Sequence, residues 1–148
     1  MPSEDLRFSS AEANLVLHAT EDHDKVLAAI EVGLGMQATS FSSEPFEGHF
    51  GNRIISFRAI VASREAGDLA TRILSLLNQA DRRYLSDRIH EYSDERGNLY
   101  LRLDKQRLCQ GKALLAEADS VRFKFKPIRR YKPSGNINTY RGLLSSTE

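Results

Sequence analysis

The sequence has a single cysteine, no long hydrophobic run and no cluster of cysteine and histidine residues. Cys109 has no second cysteine with which to form an internal disulfide bond, and no Cys/His spacing matches a zinc site. No apolar run approaches the ~18 residues of a membrane-spanning helix. The first residues, "MPSEDLRFSS", lack the basic and then apolar pattern of a secretory signal. These absences favour a reduced, cytoplasmic domain without metal, cofactor or membrane contact.

Acidic residues are missing from one part of the chain, because none lies between Asp119 and Glu148. Seven basic residues fall in that interval, whereas residues 1–60 contain nine acidic and four basic residues. The net charge of the whole chain is +1, so the first 60 residues carry −5 and the remainder carries +6. This asymmetry favours an anionic partner such as nucleic acid for the C-terminal third. The alternative interpretation is a solvated basic tail, or an edge strand whose charges prevent aggregation.

Apolar and polar residues alternate in five segments, and this alternation predicts five strands. The segments are residues 12–18, the weaker edge-type stretch "QATSFSSEPF", "NRIISFRAIVAS", "LYLRLD" and "SVRFKFK". The stretch "DERGN", directly before "LYLRLD", predicts a turn. Asp104 is suited to cap a short helix that ends at Gly111.

Two main helices are predicted by apolar residues at helical spacing. The first has Thr20 as its N-cap and ends at Gly33 and Gly35, and the second begins near Glu65 with an apolar stripe that continues to Tyr84. One-sided strands with few helices predict an α+β fold, in which two main helices pack on one face of an antiparallel sheet of about five strands. At 148 residues the chain suffices for one such domain, residues 1–126, followed by a mobile basic tail, residues 127–148.

Catalytic patterns are weak in this sequence. The four histidines are scattered, and none falls in the spacing of a metal site or a catalytic triad. The segment "GHFGN", residues 48–52, lacks the lysine and the following helix of a phosphate-binding loop. We therefore interpret it as a tight turn in which Gly48 and Gly51 adopt positive φ, with His49 and Asn52 as a secondary site of RNA contact. A phosphohydrolase that uses His49 is the remote enzymatic alternative.

The binding interpretation draws on more residues. Arg122, Lys124 and Lys126 alternate with apolar residues, so they form a row with a spacing of about 6.6–6.8 Å on one sheet face. Tyr100, Arg102 and Arg58 also point away from the predicted core, and basic residues interleave with tyrosines in the tail. The candidate RNA-binding residues are Arg58, Tyr100, Arg102, Lys105, Arg122, Lys124, Lys126, Arg129, Arg130, Tyr131 and Lys132.

Three segments carry a family resemblance: "HATED" with the following "KVLAAI", then "GHFGN", and then "RLDKQ". In this order they resemble a small archaeal family of predicted RNA-binding proteins and proposed exosome subunits, formerly a domain of unknown function. The resemblance spans about residues 12–126. It implies a fold similar to that of the large-subunit ribosomal protein that carries 5S ribosomal RNA. It implies no catalytic residue, and it does not extend to the tail.

The sequence therefore predicts a non-enzymatic RNA-binding protein that contacts mainly the phosphate backbone. The resemblance implies an accessory role in RNA processing or decay, with exosome or ribosome components as further partners. The alternative is a protein-interaction subunit that docks through its sheet face without contacting RNA. The oligomeric state stays open, with a dimer as one option.

Overall fold

The computed structural model describes residues 8–47, 51–128, 140–142 and 144. The strands of this part of the chain are β1 Phe8–His18, β2 Ser42–Glu47, β3 Arg53–Ala62, β4 Leu99–Asp104 and β5 Ser120–Pro127. The helices are α1 His23–Leu34, α2 Ser63–Leu76, α3 Gln79–Asp87 and α4 Lys105–Cys109, with 3-10 helices at Ala38–Ser40 and Ile89–Glu91. No helix in the described ranges is both long enough and apolar enough to cross a membrane.

The strands form one antiparallel sheet in the order β2-β3-β1-β5-β4. Side chains alternate on β1, where Ala11, Ala13, Leu15 and Leu17 are all buried. Helix α2 buries its own apolar face, including Leu69 and Ile73, as part of the same hydrophobic core. The predicted α+β class and antiparallel sheet are therefore confirmed, and one sheet face is left mainly polar.

Helix α1 begins later than the sequence predicted. Asp22 is its N-cap, and its carboxylate accepts a hydrogen bond of 3.1 Å from the backbone N–H of Lys25. Thr20 lies in the turn before the helix, so its prediction as the cap was wrong. Aspartate is preferred over threonine at this position, which explains why the later residue caps. The predicted end is confirmed at Gly35, which adopts the left-handed conformation with φ 81°.

Replacing Asp22 with alanine should lower the free energy of unfolding by about 0.5–2 kcal/mol, because backbone donors in the first turn of α1 lose their acceptor. Thr20→Ala is the matched control and should change stability by less than about 0.5 kcal/mol. Equilibrium urea denaturation measures both variants. A larger loss for Thr20→Ala than for Asp22→Ala would contradict this assignment of the cap.

The second predicted helix is divided into α2 and α3. Leu77 is buried with an extended backbone, and Asn78 caps α3 by accepting a 2.7 Å hydrogen bond from the N–H of Asp81. The side chain of an asparagine can hydrogen-bond backbone N–H groups and so start a new helix instead of continuing the one before it. The spacing of apolar residues does not show this preference. The prediction of one continuous apolar stripe was therefore wrong, and Tyr84 is 41% exposed.

Two residues assigned to the mobile tail belong to the core. Tyr140 and Leu144 are both buried. The Tyr140 ring stacks on Phe8 with 6.3 Å between ring centroids, and its hydroxyl donates a 2.6 Å hydrogen bond to the carbonyl of Gly97. The sequence predicted a mobile tail for residues 127–148. The burial of Tyr140 and Leu144 differs from that prediction, because these two side chains pack in the hydrophobic core. The tail candidates Arg129, Arg130, Tyr131 and Lys132 lie outside the described residues.

The predicted turns position the remaining strands. The carboxylate of Asp94 accepts hydrogen bonds of 2.9 Å from the N–H groups of Arg96 and Asn98, which closes the turn before β4. Asp104 caps α4 through the N–H of Arg107, as predicted. Gly51 has φ 72°, which confirms the predicted positive φ on the β3 side of the "GHFGN" turn. Gly48 and His49 lie outside the described residues.

Candidate nucleic-acid interface

Basic side chains converge on the open face of the sheet, opposite the hydrophobic core. On β5, Val121, Phe123 and Phe125 point into the core, so packing turns the alternate residues outward. This open surface of the sheet is termed here the basic face. Its exposed cations are Arg58, Arg102, Arg122, Lys124 and Lys126. The outward direction that the sequence predicted for these five residues is confirmed by their exposure.

Strand register places most of these cations close together. Arg122 of β5 is paired with Arg102 of β4 on one side and with Asn14 of β1 on the other. Asn14 is in turn paired with Arg58 of β3, so one row crosses four neighbouring strands. Since adjacent strands are about 4.8 Å apart, the backbone of this row spans roughly 14 Å. The sheet therefore assembles cations that are far apart in the sequence.

A second row contains the aromatic residue predicted for stacking. Lys124 is paired with Tyr100 on β4 and with Glu12 on β1. Its Nζ atom lies 5.9 Å from the centre of the Tyr100 ring, within the range of a cation–π contact. The Tyr100 hydroxyl donates a 2.8 Å hydrogen bond to the carboxylate of Asp94, which orients the ring. Tyr100 is 38% exposed and is available to a ligand on this face.

Glu12 is an acidic residue among the cations of the basic face. It forms a 2.7 Å ion pair with Arg58 and accepts a 3.1 Å hydrogen bond from the side chain of Asn14. The hydrogen bond from Arg58 holds the pKa of Glu12 below its ordinary value, so Glu12 is ionised at neutral pH. Glu12 therefore offsets the charge of Arg58, and the remaining positive charge is concentrated on β5 and β4.

A groove of about 1100 Å³ lies over the β1, β5 and β4 part of the open face. Arg102, Arg122 and Lys124 line its sheet side. Its other side is formed by residues of α3 and by the segments 91–92 and 115–117. Both segments run beside the outer edge of β4, where the N–H of Tyr100 donates to the carbonyl of Tyr92 at 2.8 Å and the N–H of Ala116 donates to the carbonyl of Arg102 at 3.0 Å.

Sequence reasoning missed the aromatic residues on this other side. Tyr84 of α3 and Tyr92 line the groove together with Tyr100. Tyr84 was assigned to the apolar stripe of a single long helix, and the break at Asn78 changes which direction it faces. Neither residue belongs to an alternating pattern that would have placed it near Tyr100.

Lys105 was a predicted RNA contact, but the structure places it in the interior. Only 3% of its side chain is exposed. Its ammonium group lies 2.8 Å from Asp119 Oδ1 and 3.0 Å from Glu21 Oε1, and it donates a 3.2 Å hydrogen bond to the carbonyl of Val16. A buried, fully engaged ammonium group is not available to phosphate. The prediction of Lys105 as an RNA contact was therefore wrong.

The environment of Lys105 keeps all three groups charged. Burial alone would lower the pKa of Lys105, but its bonds to Asp119 and Glu21 outweigh burial and raise it. The hydrogen bond from Lys105 lowers the pKa of Asp119. Burial acts to raise the pKa of Glu21, and hydrogen bonds from the N–H of His18 and from Lys105 outweigh it and lower that pKa. The group formed by Glu21, Lys105 and Asp119 is termed here the lysine network.

The lysine network joins two of the three motifs that carry the family resemblance, because Glu21 belongs to "HATED" and Lys105 to "RLDKQ". The described end of the third motif, Gly51 and Asn52, directly precedes Arg53, whose carbonyl accepts a 3.1 Å hydrogen bond from the N–H of Ala19. Asn52, the secondary loop candidate, is exposed beside Arg53. The described parts of the motifs thus lie at one end of the sheet, where Lys105 pairs with Glu21.

Metal chemistry finds no support in the described ranges. Within residues 8–47, 51–128, 140–142 and 144, no three His, Cys, Asp or Glu side chains are grouped to hold a metal ion. Cys109 is half-buried and lies at the end of α4.

Comparison with known proteins shows the family of this chain. Residues 10–127 match a family model described as RNA binding, which covers most of the chain. The chain belongs to this RNA-binding family. The family resemblance drawn from the three motifs is confirmed at this level, and the names of the family and of a relative indicate a binding protein rather than an enzyme.

Relatives of this RNA-binding family member come from archaea. RNA-binding protein PAB1135 of Pyrococcus abyssi is 36% identical over 110 residues, which is 71% of each chain. Uncharacterized protein MJ0213 of Methanocaldococcus jannaschii is 29% identical over 120 residues, with 77% of this chain and 80% of the relative covered. The solved structure of Mth689, a DUF54 protein from Methanothermobacter thermautotrophicus, has a TM-score of 0.76 at 25% identity, with 93% and 98% of the two chains covered.

Proposed function

We propose that this protein binds RNA through the basic face and contacts mainly phosphate groups. The observation that carries the proposal is the register of β3, β1, β5 and β4, which brings exposed cations from three strands onto one surface. Membership of an RNA-binding family and the name of the Pyrococcus abyssi relative support it. Neither catalysis nor a cofactor forms part of the proposal.

The charge of the basic face suits an extended anionic chain. Side chains that alternate on β5 stand about 6.6–6.8 Å apart, which is close to the spacing of successive phosphates on an extended strand. Phosphate contacts fix the position of a nucleic acid without reading its bases. We therefore expect affinity to depend strongly on salt and weakly on base sequence.

Fluorescence anisotropy with a labelled 12-nucleotide RNA tests the proposal. Four or five phosphate contacts predict that log affinity falls linearly with log salt, with a slope of about −3 to −4.5. An equal affinity for RNAs of different sequence would agree with phosphate contact. Absence of binding at low salt would contradict the proposal and favour the alternative, a protein-interaction subunit that docks through the same face.

Replacing Glu12 with glutamine should strengthen RNA binding. The change removes the negative charge paired with Arg58 and leaves that guanidinium available to phosphate. An exposed ion pair contributes up to about 1 kcal/mol, so we expect affinity to rise about 2- to 5-fold at low salt. The gain should vanish at high salt, because the exposed charges are then screened. Glu31→Gln on α1 is the control of equal charge change, and an equal gain in that variant would contradict the role of Glu12.

The cellular setting is a further part of the proposal. We place the protein in RNA processing or decay, or with ribosomal RNA, because its three motifs resemble those of a family of proposed exosome subunits with a ribosomal-protein-like fold. Copurification of the tagged protein with purified archaeal exosome, with and without ribonuclease, tests this setting. Association that survives ribonuclease would indicate a protein contact, whereas association lost with ribonuclease would indicate that RNA links them.

A further inference from the structure

The groove over the open face has two unlike sides. The sheet side carries Arg102, Arg122 and Lys124. The opposite side, termed here the aromatic wall, is formed by Tyr84 and Tyr92, with carboxylates at Glu91 and Glu117 beside them. Cations on one side suit phosphate groups, whereas tyrosines and carboxylates on the other do not.

The aromatic rings of the groove are accessible and held in place. The guanidinium of Arg88 lies 4.1 Å from the centre of the Tyr84 ring, yet Tyr84 remains 41% exposed. Burial raises the pKa of the Tyr92 hydroxyl, and the adjacent Tyr84 adds to that rise. Tyr100 adjoins this wall on β4, since its N–H donates to the carbonyl of Tyr92, and its ring lies next to Lys124. Nucleobases stack on fixed aromatic rings of this kind in proteins that bind single-stranded nucleic acid.

The carboxylates of Glu91 and Glu117 favour a single strand over a duplex as the occupant of the groove. The side chain of Glu91 is 58% exposed, and Glu117 is exposed as well, so both carboxylates lie at the surface of the groove. A duplex is surrounded by phosphates and would bring some of them against these carboxylates. A single strand has phosphates along one edge and bases along the other, and base amino groups can donate to carboxylates. The volume of about 1100 Å³ exceeds that of a typical small-molecule pocket, ~300–1000 Å³.

We propose that the groove binds single-stranded RNA, with phosphates along Arg102, Arg122 and Lys124 and with bases stacked on Tyr84 and Tyr100. This inference rests on the proposed function and adds the class of RNA and the aromatic contacts. The bases face the aromatic wall, where Glu91 and Glu117 accept hydrogen bonds from their amino groups. The occupant is a short stretch of unpaired chain rather than a helix.

The first test compares a labelled 12-nucleotide RNA alone with the same RNA annealed to its complement. We expect the single strand to bind about tenfold more tightly or better at the same salt concentration, because only unpaired bases can stack on the two rings. Equal or tighter binding of the duplex would overturn the inference while leaving the proposed function intact. Absence of binding to either RNA would overturn both.

The second test separates stacking from charge. Tyr84→Leu and Tyr100→Leu should each weaken single-strand binding about 5-fold or more, because each removes one stacking ring. The salt slope should stay unchanged, since no phosphate contact is lost. Tyr100→Phe is the matched control, and it keeps the ring while removing the hydrogen bond to Asp94; it should bind within about twofold of the wild type.

Two results of this second test would overturn the inference. One is full binding by both leucine variants, and the other is a loss in Tyr100→Phe as large as that in Tyr100→Leu. Urea denaturation of each variant checks its fold. If a leucine variant fails to fold, the comparison of single strand with duplex on the wild-type protein still decides.

Discussion

Replacing Glu21 with glutamine and Asp119 with asparagine together should lower the free energy of unfolding by about 3 kcal/mol. The two changes leave the buried ammonium of Lys105 without a counter-charge. Breaking a buried ion pair costs ~3–5 kcal/mol, and we expect the lower end because the Asp119 side chain is 56% exposed and admits water. Asparagine is chosen because Asp119 has φ 52°, a left-handed conformation that asparagine tolerates. Equilibrium urea denaturation measures the change.

Lys105→Met provides the matched control for this loss. Methionine has a similar unbranched stem and no charge, so adding it to the double variant removes the unpaired ammonium. The triple variant should recover at least half of the lost stability, about 1.5 kcal/mol. A loss below about 1 kcal/mol in the double variant, or a further loss on adding Lys105→Met, would contradict the assignment of a coupled network.

The same network predicts a dependence of stability on pH. The pKa values of Glu21 and Asp119 are lower in the folded protein than their ordinary values. Their contribution is therefore fully present above the ordinary carboxyl range and is lost as the pH falls through the folded-state pKa values. The stability difference between the wild type and the double variant should be constant near neutral pH and should shrink below about pH 4.

Replacing Lys124 and Lys126 with glutamine should weaken RNA binding about 5- to 30-fold at low salt, since two exposed ion pairs with phosphate contribute about 1–2 kcal/mol. The slope of log affinity against log salt should flatten by roughly 1.4–1.8, or ~0.7–0.9 for each lost phosphate contact. The fold should be retained, because Phe123 and Phe125 still fill the core and exposed substitutions change stability by about 0.5 kcal/mol or less.

The double variant Lys25→Gln/Lys112→Gln is the control for Lys124→Gln/Lys126→Gln. It removes the same charge from two exposed lysines that lie on no strand. Equal weakening by both double variants would contradict a specific role for β5.

Substituting Arg129, Arg130 and Lys132 with glutamine tests whether the tail binds RNA. Truncation after Lys126 is the poorer test, since it removes Tyr140 and Leu144 from the core. Complete loss of binding in the tail variant, with full binding by Lys124→Gln/Lys126→Gln, would move the site to the tail.

Strand patterns predicted the part of the site that depends on local alternation. On β5 each apolar residue fixes the direction of its basic neighbours, so the outward direction of Arg122 and Lys124 followed from the sequence. Strand order did not follow, because the pairing of Arg122 with Asn14 and Arg102 joins segments that are distant along the chain. The sequence therefore predicted the cations and their row along β5, but not the row across strands that joins Arg58, Arg122 and Arg102.

Burial of charge was the feature that sequence reasoning missed. Lys105 follows a cap residue and precedes Gln106, a setting typical of a solvated helix start. Its partner Glu21 lies 84 residues away, so no local pattern predicts their ion pair. The aromatic wall was missed for a similar reason, since Tyr84 belongs to a separate helix, α3, that Asn78 caps. A long-range ion pair fixes the position of Lys105, and a helix cap fixes that of Tyr84.

The central claim, that RNA lies on the open sheet face, is tested most directly by a nuclear magnetic resonance titration of the ¹⁵N-labelled protein. Adding a 12-nucleotide single-stranded RNA should shift the backbone amide signals of residues 100–102 and 122–126 and the signal of Arg58. The signals of α1 and α2, which lie on the other side of the sheet, should stay in place. Shifts confined to α1 and α2, with the sheet residues unchanged, would contradict the account.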